Sequence, residues 1–368
     1  MKICHITTVH KLDDVRIYLK ECKSLSKYYN VILVGNDNRN DFSDDKIKII
    51  NLKVIFKNRI HRILSTKKLI VNKALKLNAD VYHFHDPELM SAALAIKKAG
   101  KKVIFDFHED TPKQILAKHY IPKPIRKPIS IYYKKYEEKS AIKFDGIVTA
   151  TPYLKSKFIK FNKNTVDVNN YPLLNEFKDY NSDFKTRKKQ ITYVGGLTFE
   201  RGIIEMIKIA NDMQDFQFVF CGDFSSEEEK KSAMKQIKGN NIDFLGYVSR
   251  EKIIEVLNNS VLGLVLLEKN KRYMDSLPIK MFEYMAAGLP VIASDFPLWN
   301  EILIDSKSGI CVNQKDVSNI IEKIKQLTED KETLEQMSES GRKYVLDKYN
   351  WENEEVKLLN LYKKLEEN

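Results

Sequence analysis

A glycine turn in the second half of the chain has the composition of a phosphate-binding loop. Gly195 and Gly196 follow a short apolar run, and Arg201 comes shortly after them at the start of a predicted helix. Glycine has no Cβ, so a ligand can approach the backbone closely, while helix-start amides and a guanidinium both attract phosphate. An ordinary strand–helix turn is the alternative. The spacing is not GxGxxG, so a dinucleotide-binding motif has no direct support.

A cation and a carboxylate one helical turn apart form a second candidate site. Residues 275–293 read DSLPIKMFEYMAAGLPVIA, which predicts a helix from near Pro278 to Gly288 and then a buried strand. Lys280 and Glu283 share one face at the start of that helix. A cation there suits a diphosphate, and a carboxylate suits the paired hydroxyls of a ribose. A surface Lys–Glu pair is the alternative.

Histidines and carboxylates follow three predicted strands of the first half, in the segments HKLDDVR (10–16), YHFHDPE (82–88) and FDFHED (105–110). Groups placed after parallel strands meet at the carboxyl edge of a sheet, where α/β proteins bind ligands. Some of these residues also have the spacing of metal ligands, namely His83, His85, Asp86, His108 and Asp110. They lie on separate turns, so we expect ligand contacts and no metal.

The elements that must position these residues alternate between short apolar runs and helical periodicity, which predicts parallel, doubly wound sheets. The predicted strands are 2–7, 30–35, 47–52, 81–85, 102–106, 146–150, 191–194, 217–221, 242–245, 261–267, 290–293 and 309–312. A polar stretch at 178–190 is a plausible linker. We predict an α/β fold of two Rossmann-like parallel-sheet domains, 1–172 and 173–345, facing across a crevice that binds the ligand. A helical tail, 346–368, is expected to pack back on the N-terminal domain.

The composition bounds the class of protein. The 368 residues are 43% hydrophobic and 30% charged, enough apolar surface for two cores and too much for a disordered chain. Four cysteines without CxxC spacing argue against a disulfide framework and favour a reducing compartment. The sequence has neither a signal-peptide pattern at its start nor an apolar run of about 20 residues. We therefore expect a cytoplasmic protein.

Positive charge is confined to the first half. Residues 1–172 carry 34 Lys and Arg against 17 Asp and Glu, whereas residues 173–368 carry 28 against 33. The cations concentrate in stretches 57–76 and 118–135, where they mix with Ile, Leu and Tyr. This mixture favours peripheral contact with an anionic membrane surface. Nucleic acid and an ordinary solvated surface are the alternatives, and we expect no nucleic acid partner.

The C-terminal pattern resembles the GT-B glycosyltransferases of retaining family 4. The family's signature is a Glu on a helix, followed by small residues and then Gly-x-Pro-Val-Ile-Ala, and this sequence has the same order. Glu283 therefore matches the second Glu of the family's paired-Glu motif, which binds the nucleotide ribose. Asp275 holds the first position, which in the family contacts the donor sugar. The Gly195 turn resembles the family's phosphate loop. Arg201 matches one of its two cations, Gly196 replaces the other, and Lys280 is the candidate to supply the missing charge.

The first half carries the same resemblance. His108 matches a family histidine that approaches the transferred sugar, and YHFHDPE is similar to an HxHDPE segment of a capsule-associated subgroup. The segment after the first strand lies where the family places acceptor contacts, although it lacks the usual Gly-Gly loop. The residues expected on the acceptor side are His10, Asp13, Arg16, His85, Asp86 and Glu109.

The resemblance implies transfer of a sugar from a nucleotide diphosphate donor, UDP-linked by expectation, to a glycan or lipid-linked acceptor in cell-surface polysaccharide synthesis. The resemblance implies that the anomeric configuration is retained. Because side-chain cations and a helix terminus can stabilise the departing diphosphate, we expect no metal and no cofactor. Peripheral attachment to the inner face of the cell membrane would bring the acceptor within reach. A UDP-sugar 2-epimerase on the same fold is the alternative, and a non-catalytic nucleotide-sugar binder is a third hypothesis.

Overall fold

The computed structural model describes residues 1–37, 42–44, 46–54, 59–118, 121–270 and 273–367. Lys57 and His119, which belong to the two basic stretches, lie outside these ranges. The chain forms two compact units, one from Met1–Asn170 and the residues from Trp351 onward, the other from Tyr171–Asn350. Within the described residues, no helix combines the length and the apolar composition that crossing a bilayer requires.

The first unit contains an eight-stranded sheet. Its strands are β1 (Lys2–Ile6), β2 (Asn30–Gly35), β3 (Phe42–Asp44), β4 (Ile47–Asn51), β5 (Val81–Phe84), β6 (Lys102–Phe107), β7 (Gly146–Thr149) and β8 (Thr165–Asp167). They are ordered β3-β4-β2-β1-β5-β6-β7-β8, and β3–β4 is the one antiparallel pair among the strands described. The sequence predicted neither β3 nor β8, because each has only three residues and a polar composition.

The second unit contains a six-stranded, fully parallel sheet. Its strands are β9 (Gln190–Val194), β10 (Gln217–Cys221), β11 (Ile242–Gly246), β12 (Leu262–Val265), β13 (Val291–Ser294) and β14 (Gly309–Val312). They are ordered β11-β10-β9-β12-β13-β14. All twelve predicted strands are present, with ends that differ by at most two residues, so the two predicted Rossmann-like sheets are confirmed.

Helices alternate with the strands along the chain. A π-helical segment, Val15–Cys22, continues into α1, and the α-helices are α1 (Lys23–Ser26), α2 (Arg59–Leu77), α3 (Met90–Lys98), α4 (Thr111–Ala117), α5 (Lys123–Ala141), α6 (Pro152–Phe158), α7 (Ile203–Asp212), α8 (Glu227–Met234), α9 (Arg250–Asn259), α10 (Ile279–Ala286), α11 (Pro297–Ser306), α12 (Val317–Glu329), α13 (Lys331–Asp347) and α14 (Trp351–Glu367). Helix α14 belongs to the first unit, where Trp351 Nε1 donates to Ser24 Oγ over 2.8 Å.

Each unit has its own core of buried strand and helix side chains. Parallel strands covered on both faces are apolar along nearly their whole length, which explains why the sequence predicted them well. His5 in β1 and His83 in β5 are exceptions, because both are fully buried polar residues in central strands. They place ionisable groups inside the first unit.

Candidate functional site

The glycine turn of the second unit is occupied by two cationic side chains. Gly195 follows β9 with a φ of +133°, and a Cβ built on it would lie 2.6 Å from Lys280 Nζ. A Cβ on Gly196 would lie 3.2 Å from Arg201 Nη1. The absence of side chains at the two glycines is therefore what lets both cations approach the turn. The structure brings together all four residues that we predicted to bind a diphosphate.

Lys280 Nζ is buried and has no hydrogen-bond acceptor among the described residues. It lies 3.7 Å from the centroid of the Tyr193 ring, a cation–π contact. Burial, and secondarily the charge of Arg201, hold the pKa of Lys280 well below its usual range. A buried amine beside a guanidinium fits an anionic ligand, which would stabilise the ammonium form.

Two tyrosines fix the geometry of this turn. The Tyr284 hydroxyl, on α10, accepts a hydrogen bond from the Val194 amide over 2.8 Å and ties α10 to the end of β9. The Tyr193 hydroxyl donates to the Gly196 carbonyl over 3.0 Å. Lys280 lies on the same helix as Tyr284, so these contacts hold its amine at the turn. The sequence analysis assigned no role to either tyrosine.

Arg201 ends a short 3-10 turn, Phe199–Arg201, just before α7. The Thr198 hydroxyl accepts from the Arg201 amide over 3.2 Å, which caps the turn. Gly202 follows with a φ of +78°, and a Cβ there would lie 2.1 Å from the Leu266 carbonyl oxygen. The chain therefore needs a glycine here to return to the sheet and present Arg201.

Glu283 is buried and forms an ion pair that the sequence did not predict. Arg250 Nη2 donates to Glu283 Oε1 over 2.8 Å and also contacts Glu176. Burial opposes the charge of Arg250, but the two carboxylates raise the pKa of its guanidinium above the usual range. The pair fixes the Glu283 carboxylate in the middle of α10. Asp275, the other predicted carboxylate, is exposed on the turn that precedes α10.

Two linked side chains, Arg16 and Asp106, position His108 in the first unit. The Arg16 guanidinium binds the Asp106 carboxylate through Nε at 3.1 Å and Nη2 at 2.9 Å, and Asp106 Oδ2 lies 2.9 Å from His108 Nε2. Burial favours the neutral carboxyl, but the charge of Arg16 holds the pKa of Asp106 well below its usual range. We predicted that Arg16 faces the acceptor. The structure instead buries the Arg16 guanidinium against Asp106. Arg16 therefore holds Asp106, which in turn contacts His108.

The first four residues of the HxHDPE segment, His83 to Asp86, are buried as well. Asp86 accepts hydrogen bonds from the Thr7 and Thr8 hydroxyls and from the Thr8 and Val9 amides, so it shapes the loop after β1. His85 is 1% exposed, and burial lowers its pKa to about 4. Both residues were predicted on the acceptor side. The structure places them beneath that loop rather than on its surface.

His10, in the loop after β1, is more exposed than His85. Its ring centroid lies 5.3 Å from that of His108. Its Nδ1 lies 3.2 Å from Asp14 Oδ2, and this hydrogen bond raises the pKa of His10. Burial works against the Asp14 charge, but the bond from His10 and a backbone amide lower the pKa of Asp14 to about 2. Asp13 and Glu109, also predicted on the acceptor side, are exposed.

Among the residues that the structure describes, two groups of potential metal ligands lie in the first unit. One joins His85, Asp106 and His108; the other joins His5, Glu21, His83 and His85. Arg16 already binds the carboxylate of the first group. Asp110, which has the spacing of a metal ligand in the sequence, instead caps α4 and contacts Tyr153 and Lys157.

Two Rossmann-like units, the second with a basic glycine turn, define the GT-B class of transferases. The family description "Glycosyl transferases group 1" matches residues 175–344, and "Glycosyltransferase Family 4" matches residues 19–168. Because the two matches together cover most of the chain, the protein belongs to this family of glycosyltransferases. The match does not support the epimerase alternative.

Solved structures share the fold at low sequence identity. Sucrose-phosphate synthase from Thermosynechococcus elongatus superposes with a TM-score of 0.78, at 15% identity over 99% of this chain and 98% of its own. Anabaena HepE, solved in complex with UDP and glucose, superposes with a TM-score of 0.73, at 14% identity over 99% of both chains.

Curated relatives are similarly distant. An uncharacterized glycosyltransferase of Methanocaldococcus jannaschii is 24% identical over 64% of this chain and 63% of its own length. An uncharacterized 41.2 kDa protein in the cps region of Klebsiella pneumoniae is 25% identical over 70% of this chain and 72% of its own. The chain thus spans from about half to about two thirds of the length of the first relatives it matches.

Proposed function

We propose that the protein transfers a sugar from a nucleotide diphosphate donor to a glycan or lipid-linked acceptor, with retention of the anomeric configuration. The observation that carries this proposal is the buried Lys280 amine, which faces Arg201 at a glycine turn without a hydrogen-bond acceptor. A diphosphate supplies the missing negative charge. In glycosyl transfer, charge develops on the departing diphosphate, so two preorganised cations stabilise the transition state.

Glu283 is proposed to bind the ribose hydroxyls of the donor. Its carboxylate lies one helical turn from Lys280 and is fixed by Arg250. One short helix would therefore supply both the contact to the ribose and a contact to the diphosphate. Asp275, on the turn before that helix, is proposed to contact the sugar. The complex of Anabaena HepE with UDP and glucose supports a UDP-linked hexose as the first donor to test.

His108 is proposed to orient the transferred sugar. Asp106 accepts a hydrogen bond from His108 Nε2, which fixes the ring and leaves Nδ1 for a substrate hydroxyl. We propose no protein nucleophile, and no metal takes part in leaving-group departure in this mechanism. The cps-region relative supports a role in cell-surface polysaccharide synthesis.

Thermal-shift screening of nucleotides and nucleotide sugars tests the donor proposal, because a ligand of the native state stabilises it according to its affinity. We expect a UDP-sugar and UDP to raise the melting temperature, and an acceptor to release UDP from that sugar. Product NMR then reports the anomeric configuration. Inversion at C2 of the sugar without any acceptor would favour the epimerase instead.

The membrane surface is a further part of the proposal, and α5 supports it. Ile125, Ile129 and Tyr132 are exposed at helical spacing, and Tyr132 is 72% exposed. Exposed lysines flank this stripe at positions 123, 127, 134 and 135. Each cation close to an anionic bilayer contributes about 1 kcal/mol, so the helix can attach the first unit reversibly to the inner face of the membrane.

Liposome flotation tests this attachment. We expect binding to anionic vesicles that weakens at high salt, and weaker binding after Ile125→Ser and Tyr132→Ser. Ile304→Ser, which changes an exposed isoleucine of the second unit, is the matched control. Equal binding to neutral and anionic vesicles would return α5 to an ordinary solvated surface.

A further inference from the structure

Four ligand-type side chains meet inside the first unit. His5 lies in β1, His83 in β5 and His85 just beyond it, and Glu21 lies in the π-helical segment. None of the four is more than 1% exposed, and one ligand atom of each lies within 4.8 Å of the others. The sequence spacing pointed to a different set, because it contains no sign that Glu21 and His5 approach the HxH segment.

The separations of these atoms are close to those between ligands of one metal ion. Glu21 Oε2 lies 3.9 Å from His5 Nδ1, 3.9 Å from His83 Nδ1 and 4.0 Å from His85 Nε2. These distances are too long for hydrogen bonds, whose usual range is about 2.7–3.2 Å. Around tetrahedral Zn²⁺, with bonds of about 2.0–2.1 Å, ligand atoms lie about 3.4 Å apart. His5 Nδ1 and His85 Nε2 are 2.9 Å apart and share a hydrogen bond, which an ion bound by both nitrogens would replace. The observed separations, 2.9–4.0 Å, bracket the tetrahedral value.

Buried polar atoms of the cluster lack hydrogen-bond partners. Glu21 Oε2 and His83 Nε2 are both buried, and neither has a hydrogen-bond partner among the described residues. Most buried polar atoms in proteins are paired, so the unpaired atoms indicate a missing partner at the cluster.

One outer contact resembles those around metal-bound histidines. His85 Nδ1, the nitrogen that faces away from Glu21, lies 3.5 Å from Asp106 Oδ2. Metal-binding histidines usually direct their second nitrogen to a carboxylate. The Tyr362 hydroxyl of α14 lies 2.9 Å from His83 Nδ1 and is the hydrogen-bond partner of that nitrogen in this structure, so a bound ion would replace Tyr362 there.

We infer that the first unit binds a divalent transition-metal ion, with Zn²⁺ the best fit, through His5, His83, His85 and Glu21. Three imidazoles and one carboxylate are ligands that Zn²⁺ accepts in tetrahedral geometry. This site departs from our expectation of a metal-free chain. The ion joins β1, the end of β5 and the π-helical segment, and it fixes the His85 ring beside Asp106, the residue that holds His108.

Metal content of the untagged full-length protein tests the inference. Cells are grown in minimal medium with added ZnCl₂ or CoCl₂, and the purified protein is analysed by plasma mass spectrometry. We expect one ion per chain, and for the Co²⁺ protein the visible d–d absorption of a tetrahedral site. Glu21→Gln should hold at least about tenfold less metal. Glu137→Gln, which changes another fully buried glutamate of this unit, should hold as much as the wild type.

Two results would overturn the inference: wild-type protein that contains almost no metal from either medium, or Glu21→Gln protein that retains the wild-type amount. If Glu21→Gln does not fold, the wild-type Co²⁺ spectrum decides alone, and a spectrum without tetrahedral d–d bands contradicts the site. The measurement does not depend on the donor or the acceptor, so its failure leaves the proposed glycosyl transfer untouched.

Discussion

Lys280 Nζ lies 2.6 Å from the point where a Cβ on Gly195 would stand. The two residues are far apart in sequence, yet the lysine amine occupies the space that the glycine leaves open. Because α10 brings Lys280 to the end of β9, the cation reaches the turn that binds phosphate in many α/β proteins. The position of the Lys280 amine therefore depends on the absence of a side chain at residue 195.

Gly195→Ala should lower donor turnover, because the new methyl group displaces the Lys280 amine. We expect a loss of at least about tenfold, the cost of one charge-assisted contact. The positive φ adds a stability loss of about 1–3 kcal/mol, which must be separated from the effect on turnover.

Gly100→Ala is the matched control for Gly195→Ala. Gly100 has a φ of +81°, and a Cβ on it would meet nothing within 4 Å. It should lose stability without losing turnover. Equal turnover of the two folded variants in a UDP-release assay would disprove the role of the Gly195–Lys280 contact.

His108→Ala should slow the chemical step while the affinity for UDP stays close to wild type. His108 belongs to the first unit, whereas the residues proposed to bind the diphosphate belong to the second. We expect kcat to fall about tenfold or more, because the sugar loses a positioned partner. Calorimetric titration with UDP and steady-state kinetics separate the two effects.

Asp110→Asn is the control for His108→Ala, because Asp110 lies nearby but caps α4, and asparagine caps equally well. It should leave kcat unchanged. A His108→Ala variant that turns over at the wild-type rate, or that loses UDP affinity to the same extent as kcat, would remove His108 from the proposed chemistry.

Much of this arrangement was predictable from the sequence, for a physical reason. Buried parallel strands are continuous apolar runs, so alternation with helices located all twelve predicted strands, while β3 and β8 are too short and polar to stand out. The glycine turn and Lys280 were found by composition. The Arg16–Asp106 and Arg250–Glu283 pairs were missed, because their partners lie 90 and 33 residues apart and only the folded chain brings them together.

Glu137 of α5 should make stability depend on pH. Burial, opposed by the charge of Lys157, raises its pKa from an ordinary value of 4.5 to about 7. The folded state thus binds a proton more tightly than the unfolded state. The contribution of this proton to the free energy of unfolding is fully present below pH 4.5 and is lost as the pH rises through about 7.

Glu137→Gln should remove that dependence. One pKa unit corresponds to about 1.4 kcal/mol. Between pH ~5 and ~8 we therefore expect the free energy of unfolding of the wild type to fall by up to about 3 kcal/mol relative to that of Glu137→Gln. Urea unfolding at both pH values measures it, with Glu138→Gln as the control from the same helix. The same pH dependence in wild type and Glu137→Gln would show that Glu137 titrates normally.

The most direct measurement compares the binding of UDP and UMP to wild type, Lys280→Ala and Lys189→Ala by calorimetry. Lys189 is an exposed lysine at the opposite end of β9 and serves as the matched control. If Lys280 binds the second phosphate, the wild type and Lys189→Ala prefer UDP by roughly tenfold to hundredfold, and Lys280→Ala loses most of that preference while its UMP affinity stays unchanged. A Lys280→Ala variant with the wild-type ratio of UDP to UMP affinity would contradict the proposed donor site.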